Sequence, residues 1–183
     1  AHKLKSIINA YGTIKKLNGT MFGLLGYRPT AFYNCAFDER LIRRTFGIAM
    51  EETDLKVIFD RMEKVPMDLV ENDMEAISDA FDVSRLPDHH LENHSRLYFA
   101  IKEVIKEQRY DFAAIKCWPE MGNLKTTPCA VLGRLADEGT SVICEGDVDV
   151  GIAAIAQRYL TGLPAFITDM INIDAKENTL TYW

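Results

Sequence analysis

The sequence predicts an α/β protein built from open sheets. Short apolar runs alternate with longer stretches of helical period, and that order is the signature of an α/β layer. The turns between them place glycine, proline and aspartate where helices begin or end.

Residues 1–17 read as a helix closed by Asn18-Gly19, a good C-terminal cap. Residues 20–25 are a short apolar run, hence a buried strand, and residues 26–30 are the loop after it. Residues 38–46 look helical and stop at Gly47. Residues 48–53 form a second strand, and Asp54 caps a helix that runs to Met62. Pro66 opens the next helix, because a proline ring fits the first turn. Residues 84–88 break the pattern, and a boundary between two α/β modules is expected there. A helix over 88–108 follows, with Leu97, Ile101, Val104 and Ile105 on one stripe. The rhythm then repeats: a strand at 112–117, a helix at 128–136, a strand at 141–144 and a helix at 148–160 whose Ile152, Ile155, Ala156 and Tyr159 face one way. A further strand is expected at 165–169, then the segment 171–174 and a strand-like end at 179–183.

The 183 residues are 48% hydrophobic and 26% charged, a balance that implies a packed core. The net charge of −6, without a basic stripe, argues against nucleic acid as a partner. No apolar run approaches the roughly 18 residues that cross a bilayer. The amphipathic N-terminus holds no long apolar signal core, so no membrane partner and a cytoplasmic location are expected. Cys35, Cys117, Cys129 and Cys144 lie far apart in sequence and form no C-x-x-C pair, so they read as free buried thiols.

In open α/β sheets, ligands sit beyond the carboxyl ends of the strands. Two predicted strand ends carry acids: Glu120 after the strand at 112–117, and Glu145 and Asp147 after the strand at 141–144. These groups should share one sheet edge. A hard divalent cation such as Mn²⁺ or Mg²⁺ prefers such carboxylates. If residues 145–147 are extended, Glu145 and Asp147 point the same way, and Gly146 lets the backbone approach a ligand. Asp147 can equally be a plain helix cap, and Glu120 a solvated loop acid. Arg28, Tyr33 and Asn34 follow the first strand and can face a substrate, although Arg28 can instead pair with Asp38 or Glu39. His90 and His94 share a helix face. Leu91 stands where a zinc protease helix needs its glutamate, so this cluster reads as a solvated helix start. Gly23-Leu24-Leu25-Gly26 lacks the spacing of a nucleotide-binding turn and reads as a tight turn after a strand.

The runs Ala114-Ile115-Lys116-Cys117-Trp118-Pro119-Glu120, Cys144-Glu145-Gly146-Asp147-Val148 and Tyr159-Leu160-Thr161-Gly162-Leu163-Pro164-Ala165-Phe166, with the terminal Asn178-Thr179-Leu180-Thr181-Tyr182-Trp183, resemble the L-fucose isomerase and L-arabinose isomerase superfamily. Gly23-Leu24-Leu25-Gly26-Tyr27-Arg28, with Phe32-Tyr33 and Phe37-Asp38-Glu39, looks like the middle domain of the same proteins. The resemblance implies a Rossmann-like middle domain over 1–86 and an incomplete catalytic α/β domain over 87–183. It implies an aldose–ketose isomerase acting on a monosaccharide of the L-fucose or L-arabinose type through an enediol. Family members hold Mn²⁺ between two acids and a histidine. Glu120 matches the first acid and Asp147 the second, with Glu145 as its competitor. Glu120 and Asp147 are also the expected proton-transfer acids. Trp118 can wall the sugar face or pack in the core. The histidine is expected beyond Trp183, a further domain ahead of Ala1, and a homo-oligomer as the assembly. Two rival readings remain: a non-catalytic sugar-binding or regulatory relative, and a Rossmann-like nucleotide-binding protein.

Overall fold

The computed structural model describes residues 2–182, without the side chains of His2 and Asp88; the last residue of the expected 179–183 strand lies outside the described residues. One sheet forms from β1 (Met21–Leu25), β2 (Ala49–Thr53), β3 (Phe112–Ile115) and β4 (Val142–Ile143), in the order β2-β1-β3-β4 and parallel throughout. The α/β class is therefore as the sequence predicts. The two separate sheets expected on either side of residue 86 are not formed. β1 pairs with β3 from Phe22 opposite Phe112 to Leu25 opposite Ile115. The reason is burial. Phe22, Leu24 and Leu25 are all buried, so both backbone edges of β1 need partners, and β2 supplies only one.

Period-two alternation sorts the strand side chains between two cores. Phe22, Leu24, Phe112, Ala114 and Ile143 face a cluster completed by Leu17 of α1 (His2–Leu17), Ile42 of α2 (Glu39–Phe46) and Ile152 and Ile155 of α8 (Val148–Thr161). Phe22 and Phe112 meet edge to face there, 4.7 Å between ring centres. Leu25, Ala113, Ile115 and Val142 face the opposite cluster. It is closed by α3 (Leu55–Met62), α5 (Asp88–Gln108) and α7 (Cys129–Asp137). The α5 stripe is buried as its spacing predicts: Leu97, Ile101 and Val104 are at most 1% exposed. α4 (Met67–Ala80) packs on α5 from outside.

Local caps hold the element ends. Asp38 accepts from Leu41 N, Asp54 from Lys56 N, and Gly47 ends α2 in the left-handed region. The strand expected at 165–169 is absent. The strand instead is β5 (Met170–Asp174), and it pairs antiparallel with β6 (Thr179–Tyr182) rather than with the main sheet. A short turn brings those two segments together, and such local closure costs less chain entropy than joining the distant sheet. Among the described residues, no helix is long and apolar enough to cross a membrane.

Candidate active site at the strand ends

Parallel strands put all four carboxyl ends on one edge of the sheet. The loops after β1 and β4 flank the loop after β3 and touch each other. Gly146 lies so close to the β1 loop that a Cβ there would sit 2.2 Å from the carbonyl oxygen of Tyr27. Its φ of +62° adds a second reason for glycine. Gly146 thus serves the contact between two loops, where the sequence suggested approach to a ligand.

Glu145 and Asp147 are not in an extended segment. Residues 144–146 form a single 3₁₀ turn with Glu145 at φ 62°. The same-side argument from a strand therefore does not apply, yet the two acids are neighbours. Burial raises the Glu145 carboxyl above its usual range, and the charges of Asp169 and Asp147 and the Cys129 thiol raise it further. Asp147 caps α8, its Oδ1 accepting from Val150 N at 3.0 Å.

Glu120 opens α6 (Glu120–Asn123), a one-turn helix inside a segment that read as loop. Its Oε1 accepts from Lys116 Nζ at 2.5 Å, while its Oε2 is buried with no hydrogen-bond partner. Burial pushes this carboxyl up, but the Lys116 hydrogen bond, its own backbone N–H and the Lys116 charge outweigh it, and the net direction is down. Glu120 thus answers to Lys116, whereas Glu145 answers to Asp169 and Asp147. The edge brings Glu145 and Asp147 together and leaves Glu120 engaged with a lysine. Among the described residues, no three of His, Cys, Asp and Glu are placed to share a metal ion.

Arg28 pairs with neither Asp38 nor Glu39. It lies over the rings of Tyr33 and Tyr27, 5.2 Å and 5.6 Å from their centres, and donates weakly to the Pro29 carbonyl at 3.4 Å. Its Nε is buried without a partner. Cys35 reports how close these groups are. Burial raises its thiol first, then Asp147 and Glu145 raise it, and Arg28 lowers it. Arg28 and the two acids therefore share the surroundings of Cys35. Tyr33 and Asn34 are exposed at the rim. Trp118 is 60% exposed, so its ring is available at the β3 end and is not core packing.

Two features of the edge escaped sequence reasoning. Lys116 stands four residues before Glu120, a spacing that was visible, but only the fold turns the side chains toward each other. The thiols of Cys117, Cys129 and Cys144 converge although their positions are far apart in sequence. His94 also differs from its reading as part of a solvated helix start: its Nε2 lies 3.0 Å from Arg134 Nη1, and Arg134 is held by Asp73. α4 and α7 both pack against α5, which turns that face of the helix inward. Gly23 and Gly26 offer no phosphate cradle, because Tyr110 and Leu55 fill the space a Cβ would take.

No protein-family model matches the chain. Over its whole length the chain is similar to curated sugar isomerases. These are sulfoquinovose isomerases: that of Clostridium sp. (strain MSTE9) is 28% identical over 185 residues, covering 100% of this chain and 41% of the relative. That of Priestia aryabhattai is 26% identical over 178 residues, covering 96% and 40%. That of Alkalicoccus urumqiensis is 25% identical over 183 residues, covering 99% and 41%. The chain thus spans about two fifths of the length of the curated relatives it matches.

Proposed function

We propose that this chain supplies one wall of the active site of an aldose–ketose isomerase acting on a monosaccharide through an enediol. The observation that carries the reading is the placement of Arg28, Glu145 and Asp147 on two touching loops at the carboxyl ends of a parallel sheet. The similarity to sulfoquinovose isomerases supports the sugar, and points to an anionic sulfo-sugar ahead of an L-fucose or L-arabinose type. Arg28 suits such an anion. Its guanidinium is stacked between tyrosines, and its Nε lacks a protein acceptor. Trp118 would offer an apolar face to the ring, with Tyr33 at the rim.

A hard divalent cation, Mn²⁺ or Mg²⁺, fits the donor chemistry. A carboxyl raised by burial and by neighbouring acids, as Glu145 is by Asp169 and Asp147, poses the electrostatic problem a dication relieves. Glu145 and Asp147 would hold it. Glu120 would join through its unpartnered Oε2 if Lys116 yields, and a further donor would come from beyond the described residues. When bound, the ion would supply Lewis-acid polarisation of sugar oxygens. The chain's own residues do the rest. Lys116 keeps Glu120 ionised and so able to take a proton from carbon, while Asp147, fixed by its cap, would be the acid that returns one. The same reading carries a homo-oligomer, and the exposed apolar stripe Leu4, Ile7, Ile8, Tyr11 and Ile14 on α1 supports one.

The test is manganese titration of the full-length protein, followed by assays of ketose formation from sulfoquinovose and from L-fucose. Glu145→Gln with Asp147→Asn should weaken manganese binding strongly, and Glu120→Gln should stop turnover with the fold intact. Unchanged manganese binding and unchanged turnover in these variants would end the reading. Sugar binding without turnover in the wild type would favour a non-catalytic relative, for which the occupied Glu120 is the supporting observation.

A further inference from the structure

Two helices on opposite sides of the molecule carry opposite charge. α1 turns Leu4, Ile7, Ile8, Tyr11 and Ile14 to solvent, each 59–65% exposed, while its buried residues Thr13 and Leu17 lie on another side. The five fall at i, i+3, i+4, i+7 and i+10, the spacing of a helix face that packs on a second element. Lys3, Lys5, Lys15 and Lys16 stand around them, and α1 has no acid. α2 ends beside it, where Gly19 N donates to Gly47 O, and adds exposed Arg40, Arg43 and Arg44 against Glu39 alone.

α4, α5 and α7 enclose a groove of about 890 Å³. Ile77, Phe81, Leu86 and Leu91 give it apolar walls, with Phe81 68% exposed and Leu86 51%. Gly133 of α7 also lines it, and a Cβ there would meet no atom within 4 Å. Arg134 is bound to Asp73, which leaves Asp82 and Asp137 against Lys125 among the charges of the lining. α4 carries Asp68, Glu71, Asp73, Glu75 and Asp79 and no base. The groove thus lies in a negative field and the α1 face in a positive one, and such complementary potentials align two surfaces.

We propose that α1 of one copy of this chain docks in the groove of a second copy, as an amphipathic helix laid in an apolar groove. Pairing α1 with another α1 is disfavoured, because either direction brings lysine to lysine. α1 closes the core on the Phe22 and Phe112 side of the sheet, whereas α5 and α7 close the core on the other side. A copy therefore cannot fill its own groove, and two copies cannot exchange helices reciprocally. Each copy gives α1 to one neighbour and receives it from another, a contact that closes into a ring when its rotation allows. Gly122, two residues past Glu120, lines the groove, so the docked helix would border the strand-end site of its neighbour. The inference rests on the homo-oligomer of the proposed reading, and not on the sugar or the metal.

The experiment co-assembles isotope-labelled and unlabelled full-length protein in which Tyr11 is replaced by the photo-crosslinking amino acid p-benzoylphenylalanine. Illumination and peptide mapping should join position 11 of one isotope to residues 76–91 or 122–137 of the other. Ile7→Glu and Gly133→Leu should each weaken association roughly tenfold or more, read by light scattering on dilution, with circular dichroism unchanged. Gly133→Leu displaces nothing at its Cβ, so it blocks the groove without threatening the fold. Lys5→Glu with Lys15→Glu should weaken association severalfold. A monomeric wild type would overturn the oligomer and this pairing together. An oligomer whose cross-links stay within one chain or reach another surface would overturn the pairing alone. So would cross-linking of position 11 to phosphatidylserine-containing vesicles in place of a second copy.

Discussion

Lys116 holds Glu120 by one oxygen only. Its Nζ lies 2.5 Å from Oε1, and Oε2 is left buried and unpartnered. An acid in that state is ionised and half-satisfied, ready for a second cationic or hydrogen-bonding partner.

Lys116→Met should therefore raise the Glu120 carboxyl, because burial then acts unopposed by the ammonium. The sign follows from linkage. A carboxyl depressed on folding adds stability above its unfolded value and loses it as pH falls through the folded value. The variant should be less stable than wild type at neutral pH and equal to it in strong acid. Urea midpoints across pH 2 to about 7 read this directly. A constant offset at all pH values would assign the lysine a packing role instead.

Asp147 separates a cap from a charge. Asp147→Asn keeps the acceptor for Val150 N and removes one of the charges that raise Glu145. A carboxyl raised on folding costs stability that appears as pH climbs through the interval above its unfolded value. Asp147→Asn should thus bring Glu145 down in an NMR titration and gain stability relative to wild type only toward neutral pH. Asp147→Ala removes the same charge and the cap as well, so it should lie about 1 kcal/mol below Asp147→Asn across the pH range.

Gly146→Ala should cost roughly 2–5 kcal/mol, from left-handed strain plus collision with a backbone carbonyl that cannot rotate away. Gly162→Ala is the control. It shares the positive φ but has no atom within 4 Å of the added Cβ, so only the strain, about 1–2 kcal/mol, should remain. Thermal melts resolve the two, since each kcal/mol moves the midpoint about 2–4 °C in a chain this size. Equal losses would mean the β1 and β4 loops do not touch.

Tyr110 bridges β2 and β3 under the sheet. Its hydroxyl lies 2.8 Å from Thr53 Oγ1 in a buried hydrogen bond. Tyr110→Phe should cost about 1–3 kcal/mol by leaving the threonine oxygen unsatisfied. Adding Thr53→Val should recover part of that loss, and a double-mutant cycle in urea measures the coupling. Simple additivity would show that the bond contributes nothing.

The order of elements was legible because its signals are local. Asp38, Asp54 and Gly47 cap helices through backbone groups within a few residues, and the α5 stripe follows from helical period alone. The misplaced strand at 165–169 shows the limit of such signals. An apolar run states that burial is wanted, not which partner provides it, and a nearby segment took the hairpin.

Sequence by itself determined the α/β class, most element positions, and that Glu120, Glu145 and Asp147 follow strands that end on one edge. Tertiary structure alone decided that β1 joins β3 in a single sheet, that Glu120 meets Lys116 while Glu145 lies near Asp169 and Asp147, and that Cys117 and Cys129 both come near Cys144. The physical reason is range. Caps and periodicity act within a turn or two of backbone. Charge pairing and thiol contact depend on side-chain positions set only when strands from opposite halves of the chain settle side by side.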